Sequence, residues 1–112
     1  MSGVRLSRLM QLQAPQTVPD GAGGFVLNWV TLGTLWADVM AGPGREAAGE
    51  EVRQAQVPYR ITVRAAPAGS TARPKPEQRL RDGDRIFTLL AVTERDAAGR
   101  YLTCFAREEV PA

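Results

Sequence analysis

The sequence predicts a mainly β domain: a small antiparallel β-barrel or sandwich of five or six strands, with one short helix and long loops. Three observations carry this. In "QVPYRITVRA" (56–65), Val57, Tyr59, Ile61 and Val63 alternate with Pro58, Arg60, Thr62 and Arg64, the period of a half-buried strand. Near the C-terminus, Asp82-Gly83 and "ERDAAGR" (94–100) separate short apolar runs, the mark of neighbouring hairpins in an antiparallel meander. No long amphipathic helix is available to cover the apolar face of such a sheet, so the sheet must roll up on itself.

The elements follow in chain order. In "VRLSRLMQLQ" (4–13), Leu6, Met10 and Leu12 share one parity and Arg8 breaks the series, which predicts a strand over 5–13 ended by Pro15. "PQTVPDGAGG" (15–24) reads as a loop from its prolines, glycines and Asp-Gly pair. "FVLNWVTLGTLWADVM" (25–40) is the longest β-prone run, either two strands or one strand bent at Gly33. A bulge there puts Trp29 and Trp36 on the same side. Gly42-Pro43-Gly44 ends the run and turns a corner into the one plausible helix, 44–55, with Ala48, Val52 and Ala55 at helical spacing. That helix is weak: Gly49 interrupts it, and Glu46 and Glu50 repel across one turn.

Pro58 assigns the strand 56–65 to an edge or to a strand start. "APAGSTARPKPEQ" (66–78) contains three prolines and no large apolar residue, and is expected to be a second long loop. Ile86–Val92 is nearly all apolar, as befits a central strand, and Tyr101–Ala106 returns as the last one.

Composition bounds the function. At 112 residues the chain is expected to form one domain, 1–112. Fourteen basic residues against 12 acidic ones leave a formal charge of +2, too balanced to advertise a polyanion partner. Histidine is absent, which removes the commonest general base and the commonest metal ligand. Cys104 is the single cysteine, so neither an internal disulfide nor a cysteine metal cage is expected. No apolar run is long enough to span a membrane as a helix. The N-terminal "MSGVRLSRLM" does not read as a signal peptide, and a reducing, cytosolic setting is the expectation.

The candidate chemistry reads as structural. Asp82-Gly83-Asp84 serves a hairpin turn, without the length or the distal Glu of a calcium loop. Cys104 shares a strand face with Leu102 and Ala106 and is read as a buried thiol, because no histidine can activate it. Gly42-Pro43-Gly44 lacks the Lys-Ser/Thr ending of a phosphate loop. Arg60 and Arg64 on the polar face of their strand, with Arg73 and Lys75 in the following loop, could meet phosphates, but the strand face carries no interleaved aromatic residue for base stacking. A small barrel that binds nucleic acid is therefore the second reading. An enzyme is not expected.

Taken together, several blocks resemble the head-tail joining (connector or stopper) proteins of tailed bacteriophages and of phage-like gene transfer agents. They are "LSRLMQLQAP" (6–15), "WVTLGTLWADV" (29–39), "GREAAGEEVRQAQ" (44–56), "PYRITVR" (58–64), "GDRIFTLLAV" (83–92) and the closing "YLTCFARE". Their order and spacing cover nearly the whole chain. The departure is Ala47-Ala48-Gly49, where the family carries a larger residue soon after Gly-Arg-Glu.

The resemblance implies a virion protein assembled in the bacterial cytoplasm. It implies a ring of six or twelve copies between a portal or adaptor ring on the head side and a tail terminator or tail tube on the other. DNA would cross its channel without sequence-specific binding, and no cofactor, catalysis or membrane is implied. On this reading the polar segment 42–55 and the loop 66–78 gain their order from neighbouring subunits or rings. The residues expected at such contacts are Arg45, Glu46, Glu50, Glu51, Arg53, Arg60, Arg64, Arg73 and Lys75.

Overall fold

The computed structural model describes residues 3–42 and 57–109. They form six strands: β1 (Arg8–Pro19), β2 (Phe25–Ala41), β3 (Val57–Arg64), β4 (Arg79–Asp82), β5 (Arg85–Glu94) and β6 (Tyr101–Glu109). All pairings are antiparallel, and the order β1-β2-β3-β6-β5-β4 returns to β1, closing the sheet into a barrel. Closure leaves no open edge around the barrel body. No helix occurs among the described residues. The short helix expected over 44–55 is not borne out, since that segment lies outside them.

Every strand sends alternate side chains inward. Met10 and Leu12 come from β1, Ala37 from β2, Ile61 and Val63 from β3, and Leu80 from β4. Phe87 and Leu89 come from β5, and Leu102, Cys104 and Ala106 from β6; all are buried. The registers make this core continuous: Leu12 faces Leu80, Leu80 faces Phe87, and Ile61 faces Cys104. Phe87 is the largest fully buried side chain, and Tyr59 meets it edge-on at a 5.2 Å centroid distance. The period-two reading of β3 holds, with Ile61 and Val63 inside and Arg60 and Arg64 outside.

The two expected hairpins are present. β4 and β5 join through Gly83 at φ +63°, the first of two turn positions, where glycine meets no steric penalty. β5 and β6 join through a turn in which Asp96 Oδ1 accepts the amides of Arg100 and Tyr101. Ile86–Val92 is not uniformly interior: a register shift between Leu89 and Ala91 bulges the strand and leaves Leu90 exposed.

The N-terminal half departs most from expectation. β1 does not stop at Pro15; it pairs with β2 from Arg8↔Ala37 to Pro19↔Phe25. The stretch read as a loop is thus mostly a hairpin. Beyond Gln13, β1 has no second neighbour, and β2 meets β3 only from Ala37 onward. Residues 14–30 therefore leave the barrel as a two-stranded arm. Six residue pairs at ~3.4 Å each give a reach of roughly 20 Å. The molecule is accordingly elongated, 55 × 38 × 22 Å.

The prolines fit the arm for a geometric reason. Asp20 N–H donates to Gly24 O at the tip, so ladder bonds fall on even positions of β1. Pro15 and Pro19 are odd, and their nitrogens point to the unpaired edge, where no N–H is needed. The tip itself is built by Asp20, whose Oδ1 accepts the amides of Ala22 (2.8 Å) and Gly24 (3.0 Å), with Gly21 and Gly23 at positive φ. These backbone bonds hold the Asp20 carboxyl below its ordinary pKa.

The loop 66–78, for which the resemblance implies support from neighbouring subunits or rings, also makes contacts within its own chain. Pro74 is fully buried, and Arg73 Nη1 donates to Ala66 O at 2.9 Å. Lys75 N–H donates to Gln78 Oε1 at 3.0 Å, and Glu77 N–H to Leu89 O at 3.0 Å.

Candidate functional site

Three surfaces stand out: the arm, an apolar cleft at its root, and the outer face of β3. The arm is uncharged apart from its tip. Between Arg8 and Asp38, Asp20 is the one charged residue. One face of the ribbon carries Phe25 and Leu27, 69% and 58% exposed, and the other carries Val26 and Val30, 48% and 39% exposed. Among the described residues nothing covers the apolar side chains on the two faces of this ribbon, and contiguous exposed apolar surface marks an interaction site.

The root of the arm is fixed by a polar cluster on the outer side of the barrel. β1 and β2 shift register between Leu12 and Gln13, so that Leu32 is the extra residue on β2. Gln13 Nε2 donates to Thr31 Oγ1 at 3.1 Å, and Arg79 of β4 donates from Nε to Gln13 Oε1 at 2.7 Å. The Arg79 guanidinium lies 4.0 Å from the centroid of Trp29. Trp36 pairs with exposed Leu9 on the same outer side, so the bulge does place both tryptophans on one side.

The cleft adjoins the bulge. Leu12, Leu32, Leu35 and Trp36 form one wall, and Arg64 with Ala72 and adjacent loop residues form the other, around about 590 Å³. Arg64 is exposed and forms no ion pair among the described residues.

The outer face of β3 holds Arg60 beside Met40 and Phe105, and Thr62 beside Asp38 and Thr103. Met40 is 58% exposed and Phe105 38%. β6 thus supplies an aromatic neighbour to Arg60 that β3 alone lacks.

The expected contact residues are not gathered into one site. Arg45, Glu46, Glu50, Glu51 and Arg53 lie outside the described residues. Arg60 and Arg64 are exposed on β3, with Arg64 at the cleft. Arg73 is half-buried, its guanidinium bonded to its own chain, and Lys75 is exposed on the loop. The sequence reading does not single out the arm residues Phe25, Val26, Leu27 and Val30; the signal for them is the long interval with a single charge.

The carboxylates at the barrel mouth opposite the arm are engaged structurally. Asp82 Oδ2 accepts from Arg8 Nε (3.2 Å) and Nη2, which explains why Arg8 occupies an inward parity. Glu108 accepts from Arg85 Nε at 2.8 Å and from Arg85 Nη2 at 3.0 Å, and the same Nη2 reaches Tyr59 OH at 3.3 Å. Glu109 accepts from Thr88 Oγ1. Among the described residues no three His, Cys, Asp or Glu side chains converge as metal ligands. Cys104 is buried, and burial pushes its thiol up to about 12.

Comparison with known proteins points the same way as these surfaces. The family model for phage head completion proteins matches residues 1–109. A chain from the structure of the virion of a native gene transfer agent particle is 58% identical, with a TM-score of 0.78 over 96% of this chain and 98% of that one. The solution structure of protein SF1141 from Shigella flexneri 2a is 23% identical, with a TM-score of 0.71 over 100% of both chains, a likeness of fold. None of the curated proteins is similar at a significant level.

Proposed function

Because the chain belongs to the phage head completion protein family, a family of structural virion proteins and not of enzymes, we propose that it is a structural component of a phage-type virion neck. In this reading it forms a ring between the portal-adaptor complex and the tail, around the channel that DNA crosses. The observation that carries the proposal is the 58% identity, over 96% of the chain, to a chain of a gene transfer agent virion.

The surfaces support it physically. A ring with cyclic symmetry needs two different patches on each subunit, because each contact is head-to-tail. The arm and the outer face of β3 are distinct, exposed and partly apolar. The near-neutral charge of +2 suits a channel wall past which DNA must slide, since each phosphate neutralised by a cation strengthens binding. Arg60 and Arg64 then serve orientation and register more than affinity. The ring has six or twelve copies.

Electron cryomicroscopy of particles made with a tagged copy of the chain tests this. A closed ring of its density between portal and tail is the expected result. Density elsewhere in the particle, or none, overturns the assignment.

A further inference from the structure

We propose that the hairpin arm of one copy seats its tip, through Phe25 and Leu27, in the apolar cleft beside Leu32, Leu35 and Ala72 of the next copy. The proposal rests on the ring reading above and names the contact that links its subunits.

The arm and cleft match in three ways. The first is chemical. Phe25 and Leu27 are the two most exposed apolar side chains of the arm, and they share one face of the ribbon. The cleft walls are mostly leucine, tryptophan and alanine, with Thr34, Thr71 and Arg64, and enclose about 590 Å³, a volume within the range that small binding sites occupy. The second is electrostatic. Asp20, the one charge of the arm, sits at its tip, and its backbone bonds keep it ionised. Arg64 stands at the cleft, exposed and without an ion pair among the described residues. Tip and cleft therefore carry opposite charge at the edge of an apolar contact, an arrangement that fixes register.

The third is geometric. The arm is rooted at its own cleft: Leu32 is both the bulge residue and a cleft wall. Six residues of extended strand lie between Phe25 and Leu32, and the seven steps hold a copy's own tip roughly 23 Å away. The Arg79–Trp29–Gln13 cluster braces that root. A tip can reach only another copy's cleft, and unless two copies exchange tips about a twofold axis, that copy's tip reaches a third. Such a contact propagates head-to-tail and ends only by closing into a ring.

Paired cysteines test the contact in assembled particles. Leu27→Cys and Ala72→Cys are introduced together and oxidised, with the inaccessible Cys104 left in place. The expected result is a ladder of cross-linked multiples of the 12.1 kDa chain, absent from either single variant. Assembled rings without a ladder, or cross-links from Leu27→Cys to a different virion protein, overturn the arm-in-cleft contact while leaving the ring reading intact. Absence of any ring by microscopy of wild-type particles overturns both.

If the paired variant is not incorporated, two one-sided variants decide. Phe25→Ser with Leu27→Ser removes the knob, and Ala72→Trp fills the hole. Each should fold as the wild type in isolation and lower ring occupancy about tenfold or more, as expected for loss of interface anchors. Wild-type occupancy with either one overturns the proposal.

Discussion

Arg79 reaches across from β4 to Trp29 on β2, placing its guanidinium 4.0 Å from the ring centroid while its Nε donates to Gln13 on β1. One side chain thus ties three strands together at the point where the arm leaves the barrel. The stack and the hydrogen bond act together: the first desolvates the guanidinium over a π face, and the second fixes its rotation.

Arg79→Ala is expected to lose about 1 kcal/mol of stability, the scale of a partly desolvated cation–π contact. It should also shift Trp29 emission to the red. The measurement uses a Trp36→Phe background, which leaves Trp29 as the single indole of the two in the sequence. Arg79→Lys should fall between, because a lysine keeps the charge and loses the planar fork. An unchanged emission spectrum in Arg79→Ala would show that the stack does not persist in solution.

At the opposite mouth, Arg85 grips Glu108 with two hydrogen bonds, and that contact holds the Glu108 carboxyl below its ordinary value of 4.5 and the Arg85 guanidinium above its own. A carboxylate with a depressed folded pKa adds stability above its unfolded pKa. That contribution is lost as pH falls through the folded value. Glu108→Gln should therefore cost about 1 kcal/mol at pH 7, a modest figure because the Arg85 side chain is 40% exposed. Urea melts of the two proteins should converge as the pH is lowered below 4.5. A gap that stays constant down to pH 2 would remove the ion pair as its cause.

Much of the barrel is legible in the sequence because its strands obey a simple rule. Ile61 and Val63 alternate with Arg60 and Arg64, and Leu102, Cys104 and Ala106 share one parity; all five apolar residues are buried. The arm is not legible by that rule. It has apolar residues on both faces, so period-two alternation vanishes where Phe25, Val26 and Leu27 are consecutive. Its prolines also mimic a loop. Pro15 and Pro19 are compatible with a strand only at outward-facing ladder positions, a fact of register that composition does not carry. The loop 66–78 misleads in the opposite sense. Its composition suggests an unpacked segment, yet Pro74 is buried and Arg73 bonds to Ala66. Of the anticipated contact residues that the structure describes, Arg64 alone falls at the cleft.

Cys104 offers a direct probe of core integrity. Its side chain lies among Ile61 and Val92 in the β3–β6–β5 register, and burial pushes the thiol up to about 12. Only thiolate reacts with disulfide reagents. The native protein should therefore label at the rate at which the barrel opens, and denaturant should speed labelling by orders of magnitude. Rapid labelling in buffer would mean that β6 separates from its neighbours without global unfolding.

Phe87 and Phe25 are the same residue in opposite circumstances, and their truncation separates folding from assembly. Phe87 is 0% exposed, facing Leu80 across the β4–β5 ladder and Tyr59 edge-on. Phe87→Ala removes its transfer energy and leaves a cavity among side chains that cannot collapse inward without breaking barrel registers, so about 3–5 kcal/mol should be lost. That is a large part of the roughly 5–15 kcal/mol that holds a domain of this size folded. Phe25, 69% exposed, already meets water in the isolated chain, and Phe25→Ala should change its stability by no more than about 0.5 kcal/mol. Urea melts of the isolated protein provide both numbers. A loss of several kcal/mol on Phe25→Ala would mean that the arm packs onto its own barrel in solution. In that case it could not be the free knob that a neighbouring copy receives.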